Sequence, residues 1–128
     1  MENPKPEREE MRLRPVGIVR RTEREDIMKV VVYPEYAEGL EGIEELEYIN
    51  VLYWMHNLTE DNRRRLKVHP RGDPDRPLTG VFALRSPMRP NPIGLTRVRL
   101  VKKEGNTLLV EGLDALDGSP VIDIKSDW

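Results

Sequence analysis

The sequence predicts an all-β fold, an antiparallel barrel or sandwich of about seven to eight strands with a short helical turn. Short runs rich in β-branched and aromatic residues alternate with clusters of proline, glycine and asparagine, and almost no helix is indicated. The length of 128 residues fits one domain better than two. We expect residues 1–12, which are polar and hold two prolines, to form a flexible tail, and residues 13–128 to form a single domain.

The first half of the chain contains three predicted strands and the helical turn. Arg14-Pro-Val-Gly-Ile-Val-Arg and Ile27-Met-Lys-Val-Val-Val-Tyr are rich in β-branched residues. Pro34 ends the second run and can begin a helical turn, which two following glycines keep short. Tyr48-Ile-Asn-Val-Leu-Tyr-Trp-Met-His is the most apolar run, so we expect a central strand that is buried on both faces.

The second half begins with less regular segments. Arg64-Arg-Leu-Lys-Val-His alternates between polar and apolar residues and is predicted to be a strand. Residues 70–78 contain three prolines and a glycine, which indicates a loop. Gly80-Val-Phe-Ala-Leu is then predicted to be a short strand.

The last strands are separated by clear turn signals. Leu95-Thr-Arg-Val-Arg-Leu-Val and Thr107-Leu-Leu-Val-Glu-Gly-Leu flank a Lys-Glu-Gly-Asn turn. Asp117-Gly118 is typical of a hairpin turn and precedes the final strand, Val121-Ile-Asp-Ile.

Charge is distributed unevenly along the chain. The formal net charge is -2, yet the segment from Arg63 to Lys103 holds twelve Lys or Arg residues and two acids. A surface of one sign attracts anions, so phosphate or nucleic acid becomes a candidate partner. An equally good explanation of the uneven charge is that basic and acidic strands pair across a sheet. The residues that could contact phosphates are Arg63, Arg64, Arg65, Lys67, Arg71, Arg97, Arg99, Lys102 and Lys103.

Several kinds of site are excluded by the sequence. The chain has no cysteine, which removes disulfides, thiolate nucleophiles and Cys-ligated zinc, and it has no G-x-G-x-x-G, P-loop or G-x-S-x-G motif. His56 and His69 lack the spacing of a helical zinc pair, and Asp114, Asp117 and Asp123 should point in different directions, so we expect no metal. No apolar run approaches the ~20 residues that span a bilayer, and we expect a soluble, cytoplasmic protein without a membrane partner.

The segment Leu84-Arg-Ser-Pro-Met-Arg-Pro-Asn-Pro-Ile-Gly-Leu is the most unusual in the chain. Its three prolines fix φ near -65° and force the preceding residues into extended conformations, which predicts a rigid loop. A rigid loop suits a binding wall, because Arg85 and Arg89 would lose little entropy on binding and Asn91 offers both a donor and an acceptor. The simpler alternative is a tight crossover loop whose arginines cover the end of a barrel.

A second unusual segment is Leu113-Asp-Ala-Leu-Asp-Gly-Ser-Pro-Val-Ile-Asp-Ile-Lys. Its Asp-Gly-Ser-Pro turn could direct backbone groups and one carboxylate toward a ligand. The simpler alternative is that the turn only connects two strands.

Together these two segments resemble the TrmO family, and the similarity extends from Leu13 to Trp128 through Pro15-Val-Gly-Ile-Val-Arg, Pro34-Glu-Tyr-Ala-Glu-Gly-Leu and the strand ending Tyr53-Trp-Met-His. Members of this family are S-adenosylmethionine-dependent tRNA methyltransferases with a small β-barrel. The resemblance therefore implies a compact antiparallel barrel. It also implies that a homodimer transfers a methyl group to N6 of the threonylcarbamoyl-adenosine next to the tRNA anticodon, and that the partner is the anticodon loop.

The resemblance also implies which residues form the site. Those expected to bind S-adenosylmethionine are His56, Asn57, Arg85, Leu95, Asp117, Gly118, Ser119 and Pro120. Arg89, Asn91 and Pro92 match the most characteristic family segment and are expected to position the target adenosine or its phosphates as the catalytic group.

One departure from the family pattern leaves alternatives open. The segment after the first strand is short, where family members carry a longer one with a Pro-Arg-Gln stretch, and Arg20, Arg21 and Thr22 could substitute for it. Two alternatives are a non-catalytic module that binds or senses S-adenosylmethionine and a plain RNA-binding barrel. The second would bind RNA in a salt-dependent manner without affinity for the cofactor.

Overall fold

A computed structural model describes residues 9–128 and shows an all-β chain with eight strands. The strands are Gly17–Arg21 (β1), Ile27–Val32 (β2), Tyr48–Trp54 (β3), Lys67–Val68 (β4), Thr79–Gly80 (β5), Ile93–Glu104 (β6), Thr107–Glu111 (β7) and Pro120–Ser126 (β8). The helical elements are the α-helix Glu60–Arg64 (α1) and the 3-10 turns Pro34–Leu40, Ile43–Glu45, Pro70–Gly72 and Val81–Ala83. The predicted fold class is confirmed. The predicted tail lies mostly outside the described residues, and its residues 9–12 are exposed and without regular structure.

Six strands form a closed antiparallel barrel in the order β1-β2-β7-β6-β3-β8. The barrel closes where β1 pairs with β8, with Gly17 opposite Val121 and Ile18 opposite Pro120. Closure leaves no unpaired sheet edge, which is the main physical difference between a barrel and a sandwich. The barrel expected from the resemblance is therefore confirmed.

Small branched side chains fill the interior of the barrel. Val19, Val30, Val51 and Val110 have no exposed surface, and each comes from a different strand. The prediction that β3 is buried on both faces is wrong, because its residues alternate between buried and half-buried positions. A barrel strand turns one face to the core and the other outward, so even this very apolar strand follows a period of two.

Between β3 and β6 the chain leaves the barrel. In this region the structure differs from the prediction at two strands. The predicted strand at residues 64–69 is reduced to β4, which pairs with β5, and α1 precedes it. Helix α1 begins with a capping box: the Thr59 hydroxyl accepts from Asn62 N at 3.2 Å, and Thr59 N donates to Asn62 Oδ1 at 3.1 Å. The predicted strand at residues 80–84 is replaced by the end of β5 and the 3-10 turn Val81–Ala83.

Of the two turns predicted near the C-terminal end, one joins the expected strands and the other does not. The turn at Gly105, whose φ is 61°, joins the neighbouring strands β6 and β7 as expected. The prediction that Asp117-Gly118 forms a hairpin is wrong, because β8 pairs with β1 and β3 rather than with β7. The turn instead carries the chain between strands that are not neighbours. Within residues 9–128, no helix has the length and apolar character needed to span a membrane.

Candidate active site

Three chain segments meet at one end of the barrel: the end of β3, the start of β6 and the segment before β8. The register places Tyr53 opposite Gly94 of β6 and opposite Val121 of β8, so all three strands reach the same level. A cavity of about 850 Å³ lies here, a volume that can hold a cofactor-sized molecule. Its lining includes the apolar residues Met55, Ile93, Leu95, Ala115 and Leu116 and the polar residues Asn57, Arg85, Arg89, Thr96, Arg97 and Asp114.

The side chain of Tyr53 joins the three segments. It is 5% exposed, and its hydroxyl donates to the carbonyl of Asp114. Because that bond uses its only proton, the Thr96 hydroxyl, 3.1 Å away, donates to the phenol oxygen. Burial raises the pKa of Tyr53 above its usual value of 10.0, so the hydroxyl stays protonated at neutral pH.

Gly94 makes room for this tyrosine. A Cβ atom at Gly94 would lie 2.4 Å from two ring atoms of Tyr53, a distance that side chains do not tolerate. Glycine is therefore required at this position by the close approach of the ring. The apolar run around Tyr53 predicts its burial but not its contact with the cavity. The isolated glycine within a strand is the signal that could have revealed it.

Arg89 organises the proline-rich loop from within. Its Nη2 donates to the carbonyls of Val81 and of Leu84, the latter at 2.7 Å. Its Nε is buried without a partner among the described residues. The guanidinium thus ties the turn Val81–Ala83 to the loop and also lines the cavity.

Two further bonds hold the loop against the barrel. Arg63 of α1 donates from Nε to Pro90 O at 2.9 Å, and its guanidinium lies 5.4 Å from the centre of the Trp54 ring. Met55 N donates to Pro92 O at 2.8 Å. The rigidity expected from the prolines is therefore supplemented by contacts on both sides of Asn91.

The predicted residues of this loop occupy different environments. Asn91 has an exposed side chain, and its carbonyl accepts from Ile93 N at 2.7 Å. Pro92 is fully buried and therefore acts through packing. Arg85 is exposed, with Nη1 3.3 Å from the carbonyl of Leu95, and both residues line the cavity.

The aspartyl turn is fixed to β1. Asp117 Oδ1 accepts from Arg21 N at 2.9 Å, and its Oδ2 lies 3.9 Å from Arg20 Nη1. Gly118 N donates to Val19 O at 2.7 Å. The Asp117 carboxylate is thus engaged by the first strand.

The buried Ser119 closes the same turn from inside. Its hydroxyl donates to Leu116 O at 2.7 Å, and its carbonyl accepts from Val19 N at 2.9 Å. The half-buried Pro120 begins β8 directly afterwards. In this segment the residues that line the cavity are 114–116, for which the sequence predicts no role in cofactor binding, rather than the predicted residues 117–120.

His56 lies beside this turn. A Cβ atom built on Gly118, whose φ is 87°, would lie 4.0 Å from His56 Nε2 and 3.8 Å from Arg20 Nη1. The structure therefore brings most of the predicted residues together in two groups, while Asn91 and Pro92 lie on the loop beside the cavity without lining it. Asn57, Arg85, Arg89 and Leu95 line the cavity, and His56 and the aspartyl turn lie next to each other.

A second cavity of about 670 Å³ lies beneath the 3-10 turn Pro34–Leu40 and the end of β8. None of the predicted site residues lines it. Its rim is acidic, with Glu35, Glu38 and Glu41. We therefore place the candidate site at the other cavity. Residues 9–128 contain no group of three or more His, Cys, Asp or Glu side chains that could hold a metal ion.

Comparison with known proteins identifies the family. Residues 14–127 match the family described as the tRNA-methyltransferase O N-terminal domain. The chain belongs to the TrmO family. The resemblance on which the predicted fold and cofactor depend is thereby confirmed, and S-adenosylmethionine is the methyl donor of this family.

Two relatives of similar length are named for binding S-adenosylmethionine. A protein of Archaeoglobus fulgidus named "S-adenosyl-L-methionine-binding protein" is 44% identical over 127 residues, covering 90% of this chain and 88% of its own length. A protein of Methanocaldococcus jannaschii named "Probable S-adenosyl-L-methionine-binding protein" is 46% identical over 114 residues, covering 88% of this chain and 89% of its own length.

Solved structures of TrmO have the same fold. The crystal structure of TrmO from Pseudomonas aeruginosa superimposes with a TM-score of 0.71 at 27% sequence identity and covers 94% of this chain. The present chain covers 57% of that TrmO chain and so spans little more than half its length.

Proposed function

We propose that this TrmO-family chain binds S-adenosylmethionine in the cavity at the end of the barrel and transfers the methyl group to N6 of threonylcarbamoyl-adenosine in the tRNA anticodon loop. The observation that carries this proposal is the meeting of the proline-rich loop and the segment before β8 around that cavity. The names of the relatives support the cofactor, and the family supports a tRNA substrate. The homodimer and the cytoplasmic location stay predictions from the resemblance.

The residues of the cavity suit the proposed cofactor. Apolar walls from Ile93, Leu95 and Leu116 can cover an adenine ring, and the amide of Asn57 can bond its polar edge. The carboxylate of Asp114 favours a ligand with positive charge, such as a sulfonium or an ammonium group. When bound, the cofactor supplies an activated methyl group.

The protein's part in the reaction is mainly positioning. Methyl transfer to nitrogen is an in-line displacement, and holding two reactants in line can account for ~7–11 kcal/mol of a barrier. The anchored loop provides this rigidity, with Arg89 as a positioning residue and Asn91 exposed toward an incoming nucleotide. The N6 proton leaves as the methyl group is transferred, and a carboxylate such as Asp117, a carbonyl of the rigid loop or water can accept it.

A second candidate function is favoured by the turn between β1 and β2. This turn spans only residues 22–26, and the Thr22 hydroxyl closes it by donating to Ile27 O at 2.7 Å. The longer cofactor-binding segment of the family is absent here, which favours a module that binds S-adenosylmethionine without catalysis. Against this, Arg20 reaches the aspartyl turn, where its Nη1 lies 3.9 Å from Asp117 Oδ2, and could substitute for that segment.

One experiment separates the two functions. The chain is incubated with isotopically labelled S-adenosylmethionine and with tRNA that carries the threonylcarbamoyl modification, and the digested nucleosides are analysed by mass. Binding is measured separately by calorimetry. We expect labelled N6-methylated threonylcarbamoyl-adenosine. Cofactor binding without labelled product would establish the non-catalytic module, and RNA binding without cofactor binding would establish the plain RNA-binding barrel.

A further inference from the structure

The basic residues between Arg63 and Lys103 divide into two classes. Six of the nine that could contact phosphates have a carboxylate within 4.0 Å: Arg63 with Glu60, Arg64 with Asp61, Arg97 with Asp127, Arg99 with Glu111, Lys102 with Glu104 and Lys103 with Glu44. Three have no such partner within the part of the chain that the structure describes, namely Arg65, Lys67 and Arg71. The cations of β6 are therefore largely neutralised. Outside the nine, Arg85 and Arg89 also lack a described carboxylate partner, but they line the cavity, so the unneutralised charge away from the cavity lies on these three residues.

The three residues without an acidic partner lie on one short piece of chain, residues 65–71, which we call the basic arm. Arg65 caps the C-terminal end of α1, Lys67 begins β4, and Arg71 lies in the following 3-10 turn. All three are exposed. Six residues of extended chain reach at most roughly 20 Å, so the three charges can contact phosphates of one RNA loop.

The conformation of Arg71 is unusual. With a φ of 55° and a ψ of 24°, it is the one residue other than glycine with a positive φ among residues 9–128. Such a conformation costs on the order of 1–2 kcal/mol and persists only when neighbouring contacts impose it. The contacts are present: His69 Nδ1 donates to Arg76 O at 2.7 Å, and Gly72 N donates to His69 O at 2.9 Å. A closed turn therefore holds the Arg71 backbone in a fixed orientation.

Hydrogen bonds connect the basic arm to the candidate active site. Val81 N donates to Leu66 O at 2.9 Å, and the Val81 carbonyl accepts from Arg89. Arg63, two residues before the arm in α1, donates to Pro90 O in the proline-rich loop. The arm and the loop that carries Asn91 are thus held in a defined relative position.

We propose that the basic arm binds the phosphates of the tRNA anticodon loop and so places its adenosine at the site that carries Asn91. This inference rests on the proposed function. It assigns the phosphate contacts to Arg65, Lys67 and Arg71 rather than to the larger set of cations on β6. Exposed Leu66 and Leu78 lie nearby in sequence, so a protein partner is the alternative that the test must distinguish.

The test compares two triple variants that lose the same charge. The arm variant carries Arg65→Ala, Lys67→Ala and Arg71→Ala, and the control variant carries Arg99→Ala, Lys102→Ala and Lys103→Ala. The affinity for an anticodon stem-loop RNA is measured by fluorescence anisotropy over a range of salt concentrations. Each phosphate contact in a single strand contributes about 0.7 to the slope of log K against log salt, so the arm variant should lose about 2 from this slope and bind about tenfold more weakly or worse. The control should change by less than about twofold.

Further measurements keep the outcomes separate. Unchanged affinity for S-adenosylmethionine in the arm variant verifies that its barrel and its cofactor cavity are intact. Equal loss of RNA affinity in both variants would overturn the proposal, because it would show a general effect of charge. A change in oligomeric state without a change in RNA affinity would also overturn it and would assign the arm to a protein interface.

If the wild-type chain methylates tRNA and the arm variant binds RNA equally well, the inference fails while the proposed function stands. If the wild-type chain neither binds nor methylates tRNA, both fail.

Discussion

At the scale of single residues, Tyr53 connects the core to the candidate active site. The ring of Tyr53 packs against Gly94. Its hydroxyl bonds both the carbonyl of Asp114, in the segment before β8, and the hydroxyl of Thr96 in β6, and so joins the two segments. Its position in the most apolar run of the chain predicts that it is buried, but its hydrogen bonds depend on a register that only the folded barrel establishes. Core membership could therefore be predicted from the sequence, and the contact with the cavity could not.

Tyr53→Phe removes these bonds while keeping the ring. The Asp114 carbonyl then loses its donor, so we expect the free energy of unfolding to fall by about 1–2 kcal/mol in urea titrations at neutral pH. Because burial raises the pKa of Tyr53, the unfolded chain loses this proton first as the pH rises through its usual value of 10.0. The wild-type protein should therefore lose stability above that pH, and the variant should lose less. Parallel pH profiles for the two proteins would contradict this assignment.

Variants of Asn91 and Asn57 should have separate effects, the first on methylation and the second on cofactor binding. Asn91 is exposed on the anchored loop, so Asn91→Ala should abolish methylation without changing the urea midpoint or the affinity for S-adenosylmethionine. Asn57 lines the cavity, so Asn57→Ala should weaken cofactor binding in calorimetry. Unchanged turnover in the Asn91 variant would remove that residue from the site.

At the scale of elements, local signals predicted most strands but not their partners. The prolines predict a rigid loop because they restrict φ wherever they occur, but the hydrogen bonds that anchor the loop to Arg63 and Met55 depend on the fold. The Asp117-Gly118 turn was assigned to a hairpin because a local turn signal does not specify which strands pair. Helix α1 was missed because it has five residues and buries none of them, so it leaves no apolar pattern to detect.

Helix α1 affects the site through Arg63, and its neighbour Arg64 is a matched control. Arg63→Ala removes the bond to Pro90 O and the contact with the Trp54 ring, so the proline-rich loop should become more mobile. We expect methylation to fall at least about tenfold, since loss of alignment raises the barrier. Arg64→Ala removes only an exposed pair with Asp61, worth at most about 1 kcal/mol, and should retain activity. Equal turnover rates in the two variants would contradict the anchoring role.

At the scale of the whole molecule, barrel closure positions the site. Strands β3, β6 and β8 are distant in sequence, and their ends adjoin because β3 pairs with both of the other strands. Closure between β1 and β8 then brings Arg20 and Arg21 to the aspartyl turn. The basic middle of the chain predicted an anionic partner, but the sequence could not show that most cations of β6 are paired with acids. Ion pairing of this kind depends on side chains that folding brings together.

The barrel should not tolerate a charge inside it. Val51 has no exposed surface, so Val51→Asp places a carboxylate in the core and should unfold the chain, with loss of the cooperative thermal transition in circular dichroism. Asn50 on the opposite face of the same strand is half-buried, and Asn50→Ser should unfold within a few degrees of the wild-type protein. A folded Val51→Asp variant would contradict the proposed core.

The most direct test of the account is a crystal structure of this chain with S-adenosylmethionine. We predict that the ligand occupies the cavity of about 850 Å³ between the proline-rich loop and residues 114–116, in contact with Leu95 and Asn57. Density for the ligand in the acidic cavity beneath Pro34–Leu40, with the predicted cavity empty, would contradict the proposed site.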